Sequence, residues 1–193
     1  MIKLGLTGSI ATGKSTTAKL FAEEGIPVHD ADGAVHLIYQ NEGVALVGGL
    51  VPSAIREGIV DRSALKAALS ADPTLFPKLE AIVHPLVHAR EEAAFQKAQA
   101  EHHTIMVFDI PLLFETGGDV RMDKVVVVHC KPEIQLARLL ARPGMDEATA
   151  RMLMARQMPQ EQKVERADYV ISTDHGVDAA RADVKRILTE LRA

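Results

Sequence analysis

Eight residues, Gly8-Ser9-Ile10-Ala11-Thr12-Gly13-Lys14-Ser15, stand between an apolar run through Ile2, Leu4 and Leu6 and a helical stretch through Lys19, Leu20 and Phe21. A glycine-rich loop in that setting constrains the fold more than anything else in the chain, because it works only when a strand delivers it and a helix starts from it. Gly8 and Gly13 permit close approaches and backbone angles that a Cβ obstructs, so successive N–H groups point inward and form a nest for anions. The free amides and dipole of the helix beginning near Lys14 add positive potential there. The residues Gly8, Ser9, Ile10, Ala11, Thr12, Gly13, Lys14, Ser15 and Thr16 are therefore expected to hold the phosphates of ATP or GTP. Lys14 is expected to reach the β- and γ-phosphates and Ser15 to offer its hydroxyl to Mg²⁺. A glycine-rich turn with an ordinary helix cap accounts for the glycines alone, not for the full spacing with its strand and helix.

At 193 residues, 47% of them hydrophobic and 25% charged, the chain has the means to bury one substantial core and to carry inserted subdomains. A formal net charge of −4 argues against a broad nucleic-acid surface. The single cysteine, Cys130, has no partner for an intramolecular disulfide and follows the run Val125-Val126-Val127-Val128-His129, which suggests a buried thiol at a strand end. No secretory signal pattern opens the chain, and no apolar run approaches the roughly 20 residues of a membrane-spanning helix. The expectation is a cytoplasmic protein with small-molecule partners, neither nucleic acid nor membrane among them. Its oligomeric state is not legible.

Beyond the loop, Gly25 and Pro27 punctuate the chain before Val28-His29-Asp30, a short second strand. From Ala34 to about Ala100 the pattern is mainly helical, with Leu65, Leu69, Leu79, Ile82 and Val83 as apolar markers and Pro52, Pro73, Pro77 and Pro85 as expected breaks. Strands resume at Ile105–Asp109 and Lys124–His129. Two helices follow, from Pro132 to Arg142 and from about Glu147 to Gln157, separated by Pro143-Gly144. Tyr169-Val170-Ile171 and a helix over Val177–Leu191 close the pattern. Strands alternating with helices favour a parallel α/β sheet covered on both faces, with ligands beyond the strand C-termini.

Several charged residues fall at those ends. Asp30 and Asp32 leave the second strand: either caps the next helix, or one of them, Asp32 by preference, aligns an attacking hydroxyl with the γ-phosphate and takes its proton. Asp109 ends an apolar strand, as a Walker-B-type magnesium carboxylate does, or is a turn residue before Pro111. Pro111-Leu112-Leu113-Phe114 reads as core, though Leu112 and Leu113, with Glu115 beside them, are also candidates to line an acceptor site. Arg138 and Arg142, four apart on one helix, have the spacing to straddle a phosphate chain, and Pro143-Gly144 suits a closing lid. His84, before Pro85, is either a site residue or a structural one. The remaining histidines show no zinc-ligand spacing.

Taken together these motifs resemble the dephospho-coenzyme A kinase family. The likeness runs from Leu6-Thr7-Gly8 to Ser15-Thr16, through Asp30-Ala31-Asp32 and Ile82-Val83-His84-Pro85-Leu86-Val87, to Asp109-Ile110-Pro111-Leu112-Leu113-Phe114-Glu115. It continues in Pro132-Glu133-Ile134-Gln135, Arg138, Arg142, Arg156-Gln157 and Ala167-Asp168-Tyr169-Val170-Ile171. Ser9 departs from it, standing where the family commonly has glycine.

The resemblance implies a P-loop NTPase fold, three α/β/α layers with a five-stranded parallel sheet, a helical acceptor insertion and a helical lid. The corresponding boundaries are 1–31, 104–138 and 166–193 for the nucleotide core, 32–103 for the acceptor domain and 139–165 for the lid. It implies ATP-dependent, Mg²⁺-assisted phosphorylation of the ribose 3′-hydroxyl of dephospho-CoA. Asp32 becomes the catalytic carboxylate, Lys14, Arg138 and Arg142 the charges at the transferring phosphate, and His84, Leu112, Leu113 and Glu115 the acceptor side. The nearest alternative is a P-loop kinase of another small acceptor, such as a nucleoside monophosphate or a sugar acid. A GTP-dependent switch requires an Asn-Lys-x-Asp segment that the sequence lacks.

Overall fold

The computed structural model describes residues 1–193, which divide into two units, Met1–His29 with Ala98–Ala193 and Asp30–Lys97. In the first, β1 (Ile2–Gly8) leads through the glycine-rich loop into α1 (Lys14–Glu23), and β2 (Val28–Asp30) follows. The elements of the second unit, α2 (Ala31–Gln40), α3 (Gly43–Leu50), β3 (Ile55–Arg56), β4 (Ile59–Val60), α4 (Arg62–Ala71) and most of α5 (Leu75–Ala100), come next. The chain then returns through β5 (Ile105–Asp109), β6 (Lys124–His129), α6 (Pro132–Leu140), α7 (Glu147–Ala155), α8 (Gln160–Glu165), β7 (Tyr169–Ser172) and α9 (Val177–Arg192).

The five main strands form one parallel sheet in the order β2-β5-β1-β6-β7. Its registers pair Leu6 with Asp109 and Val126, Gly8 with Val128, and Val128 with Ile171. The glycine-rich loop, Asp109, Cys130 and Thr173 therefore emerge at one edge, where the carboxyl ends of parallel strands gather. The valines of β6 show why its sequence is continuously apolar rather than alternating. Val126 and Val128 enter a cluster with Leu4, Leu6, Phe21, Val184 and Ile187, while Val125 and Val127 face the opposite side with Leu113 and Phe114. Both faces are covered, so every position has to be apolar.

The second unit has its own core, built from Val47, Val51, Ala54, Val60, Leu65, Leu79 and Val83. It differs from the sequence expectation in two places. The mainly helical reading did not include the β3–β4 hairpin, whose turn residues Glu57 and Gly58 have φ of 51° and 79°. Positive φ at both central positions is what a tight hairpin turn demands, and glutamate at the first of them is a weak turn signal. Pro85 was expected to break a helix, yet α5 runs through it. Pro85 has no N–H to give the Ala81 carbonyl, but packing of Leu79 and Val83 into the unit's core holds the helix together across the gap. Pro77 is tolerated in the first turn of α5, where amides have no intrahelical acceptor.

No helix is long and apolar enough to cross a membrane. The account of the core carries a test. Ile187 is fully enclosed in the cluster between α9 and the sheet, so Ile187→Ala should cost about 2–5 kcal/mol of unfolding free energy in a urea titration. A loss below about 0.5 kcal/mol, the range of surface substitutions, would contradict this placement of α9.

Candidate active site

The loop after β1 is tightly fitted. A Cβ on Gly8 would lie 2.5 Å from the Val128 carbonyl oxygen and 2.8 Å from Thr12 Oγ1, so no side chain fits there. Gly13 has φ of 101°, and Ala11, with φ of 61°, occupies the left-handed region at a cost of about 1–2 kcal/mol. That strain persists only because neighbours fix the peptides around it. No protein acceptor takes the amides of Gly13, Lys14, Ser15 or Thr16, which leaves them for an anion.

Amides turned inward leave carbonyls turned outward, and each of these has a partner. The Ser9 carbonyl accepts from Thr12 Oγ1 at 2.8 Å, and the Ile10 carbonyl from Gln135 Nε2 at 2.7 Å. Arg138 donates to the carbonyls of Ala11 at 3.4 Å and Thr12 at 3.2 Å, and Thr173 Oγ1 donates to Thr12 at 2.6 Å. The Gly13 carbonyl accepts from the Thr17 amide at 3.0 Å. Arg138 is itself held by Thr173 Oγ1 at 2.8 Å and the Thr173 carbonyl at 2.9 Å.

Lys14 Nζ forms an ion pair with Asp109 Oδ1, both side chains being largely buried. The ammonium is thus delivered to the end of β5 beside the loop. Ser15, exposed in the first turn of α1, and Asp109 offer oxygen ligands only. That hard donor set fits Mg²⁺, which keeps several of its waters and takes one or two protein oxygens. Asp30 stands at the N-cap of α2, and its Oδ2 approaches within 2.8 Å of where a Gly33 Cβ would be. Asp32 lies exposed in the first helical turn.

The two arginines do not share a helix face as expected. α6 ends at Leu140, so Arg142 falls in the following turn, exposed, while Arg138 faces the loop carbonyls. Glu115 accepts from Lys163 Nζ at 2.8 Å and from the Met158 amide at 3.1 Å, tying the arm around α8 to the sheet. Leu113 is enclosed in the core, whereas Leu112 keeps 44% of its surface and His84 is exposed on α5. Burial pushes the Cys130 thiol above its usual range, against the pull of nearby Arg138, which makes it a poor nucleophile.

Gln135, Gln157 and Thr173 touch the loop or its supports; the first two stand in motifs that carry the family resemblance but were assigned no role, and Thr173 was not singled out from the sequence. Gln157 Oε1 accepts the Ile10 amide at 2.7 Å. Gln135 also carries a signal of its own, as a polar residue on the apolar side of α6, where it is only 2% exposed.

The chain matches known proteins over nearly its whole length. Residues 2–179 match the family model for dephospho-CoA kinase. A dephospho-CoA kinase of Agrobacterium fabrum is 53% identical over 193 residues, all of both chains, and one of Mesorhizobium japonicum is 50% identical over 192 residues, covering 100% of this chain and 98% of its own. Among solved structures, TT1252 from Thermus thermophilus superposes with a TM-score of 0.84 at 32% identity, covering 98% of this chain and 97% of its own. The dephospho-CoA kinase of Campylobacter jejuni, at 24% identity and a TM-score of 0.74 over 98% of this chain and 96% of its own, shares the fold.

The arm's anchor has a pH signature. Burial pushes the Glu115 carboxyl up, but hydrogen bonds from Lys163 and the Met158 amide outweigh it and hold the carboxyl below its ordinary value of 4.5. The unfolded chain therefore takes up this proton first. The stabilisation is complete above about pH 4.5 and is lost as the pH falls through the lower folded value. Glu115→Gln should flatten the acid side of the stability curve between about pH 3 and 6 in urea titrations. An acid limb as steep as the parent's would show that this pair does not set it.

Proposed function

Because the chain belongs to the dephospho-CoA kinase family, we propose that it transfers the γ-phosphoryl group of ATP to the ribose 3′-hydroxyl of dephospho-CoA, giving coenzyme A and ADP in the last step of coenzyme A formation. The observation that carries this reading is the loop between β1 and α1, whose open amides and adjacent Lys14 suit a triphosphate tail. The loop amides and Lys14 bind the β- and γ-phosphates and neutralise the charge that develops on them. Asp32, at the start of the acceptor-side unit, accepts the proton of the 3′-hydroxyl as its oxygen attacks phosphorus. The bond to the β,γ-bridging oxygen breaks and ADP leaves with that electron pair.

Ser15, with Asp109 beside it, would hold Mg²⁺, which when bound would supply charge neutralisation at the phosphates. Arg142 adds positive charge from the turn before Pro143-Gly144, where Gly144 has φ of 73°, and closure of the arm around that turn excludes water. Arg138 works through the loop carbonyls. We assign acceptor contacts to His84 and Leu112, both exposed in their own units, and the reaction to the cytoplasm.

A coupled ADP-release assay tests this. Addition of dephospho-CoA should stimulate release far above the ATP-only rate, and Lys14→Ala and Asp32→Asn should each lower turnover by about 10²–10⁴-fold. Equal release with and without dephospho-CoA, or stimulation by a different small acceptor, would overturn the substrate assignment. Near-parental turnover in Asp32→Asn would remove that residue from the chemistry.

A further inference from the structure

Four hydrogen bonds form one continuous polar chain through three glutamines. The Cys130 amide donates to Gln160 Oε1 at 3.1 Å, Gln160 Nε2 to Gln135 Oε1 at 2.8 Å, and Gln135 Nε2 to the Ile10 carbonyl at 2.7 Å. The Ile10 amide then donates to Gln157 Oε1 at 2.7 Å. A primary amide side chain can face either way, but these have no choice. The relay starts at a main-chain N–H, which only donates, and reaches a main-chain carbonyl, which only accepts. Gln160 must therefore turn its oxygen to Cys130, and Gln135 must turn its nitrogen to the loop.

The consequence falls on Ala11. The Ile10 carbonyl belongs to the peptide plane before Ala11, so the bond from Gln135 fixes the rotation that places Ala11 at φ of 61°. The Ile10 amide belongs to the plane before that, which Gln157 fixes. Two successive planes are pinned by side chains at the entrance to the phosphate nest, and a non-glycine residue is held where it would not otherwise rest. We propose that Gln135, Gln157 and Gln160 are positioning residues for ATP, with Gln160 setting the loop from a distance by dictating which end of the Gln135 amide faces Ile10. This rests on the reading of the loop as the ATP site.

Hydrogen-bond direction is the property that separates positioning from mere packing. In Gln160→Glu the carboxylate still accepts the Cys130 amide but presents oxygen to Gln135 Oε1. Gln135 then flips and sets its own oxygen against the Ile10 carbonyl. Gln162→Glu puts the same charge on the same helix at an exposed position outside the relay. Affinity for a non-hydrolysable ATP analogue with Mg²⁺, measured without acceptor, should fall about five- to tenfold in Gln160→Glu and stay within about twofold of the parent in Gln162→Glu. Gln135→Met, which deletes the donor without adding charge, should weaken binding similarly. In both relay variants KM for ATP should rise while kcat at saturating ATP stays near the parent's, with the thermal midpoint recorded alongside. Parental affinity in Gln160→Glu and Gln135→Met, an equal loss in Gln162→Glu, or a fall in kcat at unchanged KM would overturn the proposal. Failure of the parent to phosphorylate dephospho-CoA while these variants lose ATP affinity as described would sink the substrate reading and leave the relay standing.

Discussion

A loop that aims its amides at a ligand has to aim its carbonyls away from it, and those carbonyls need donors. This requirement organises the carboxyl edge of the sheet. Thr12 answers within the loop, Thr17 from α1, Gln135 and Arg138 from α6, and Thr173 from beyond β7. Three separate stretches of chain therefore converge on residues 9–13. The nest is shaped by its outer partners before any anion enters, so less ordering remains to be done when one does.

The sheet order makes the convergence possible. With β1 between β5 and β6, and β7 beside β6, the loop has Asp109 on one flank and Cys130 and Thr173 on the other. Lys14 meets Asp109 across the first flank, and Arg138 meets Thr173 across the second. Burial of the apolar residues of β1, β5 and β6 between two helical layers keeps these positions rigid.

Much of this was legible in the sequence. The strand–loop–helix motif, the short apolar strands and the α/β alternation each follow from local composition and period, and they agree with one another. The parts that were not legible depend on long-range packing. Pro85 reads as a break until the core on either side of it is known, and Glu57-Gly58 is a tight turn whose first residue carries little turn preference. Arg138 and Arg142 read as a pair because four-residue spacing presumes that the helix continues, whereas α6 stops between them. Gln135 and Gln157 were quoted in the motifs but given no role, because a neutral amide announces nothing by type and its importance lies in which backbone atoms it faces.

The most direct measurement is a crystal structure with a non-hydrolysable ATP analogue and magnesium. The account predicts phosphate oxygens on the amides of Gly13 to Thr16 and Lys14 Nζ turned from Asp109 to the β- and γ-phosphates. The carbonyls of Ile10, Ala11 and Thr12 should keep their bonds to Gln135, Arg138 and Thr173. Phosphates bound away from these amides, or a loop that abandons those donors to receive them, would contradict it.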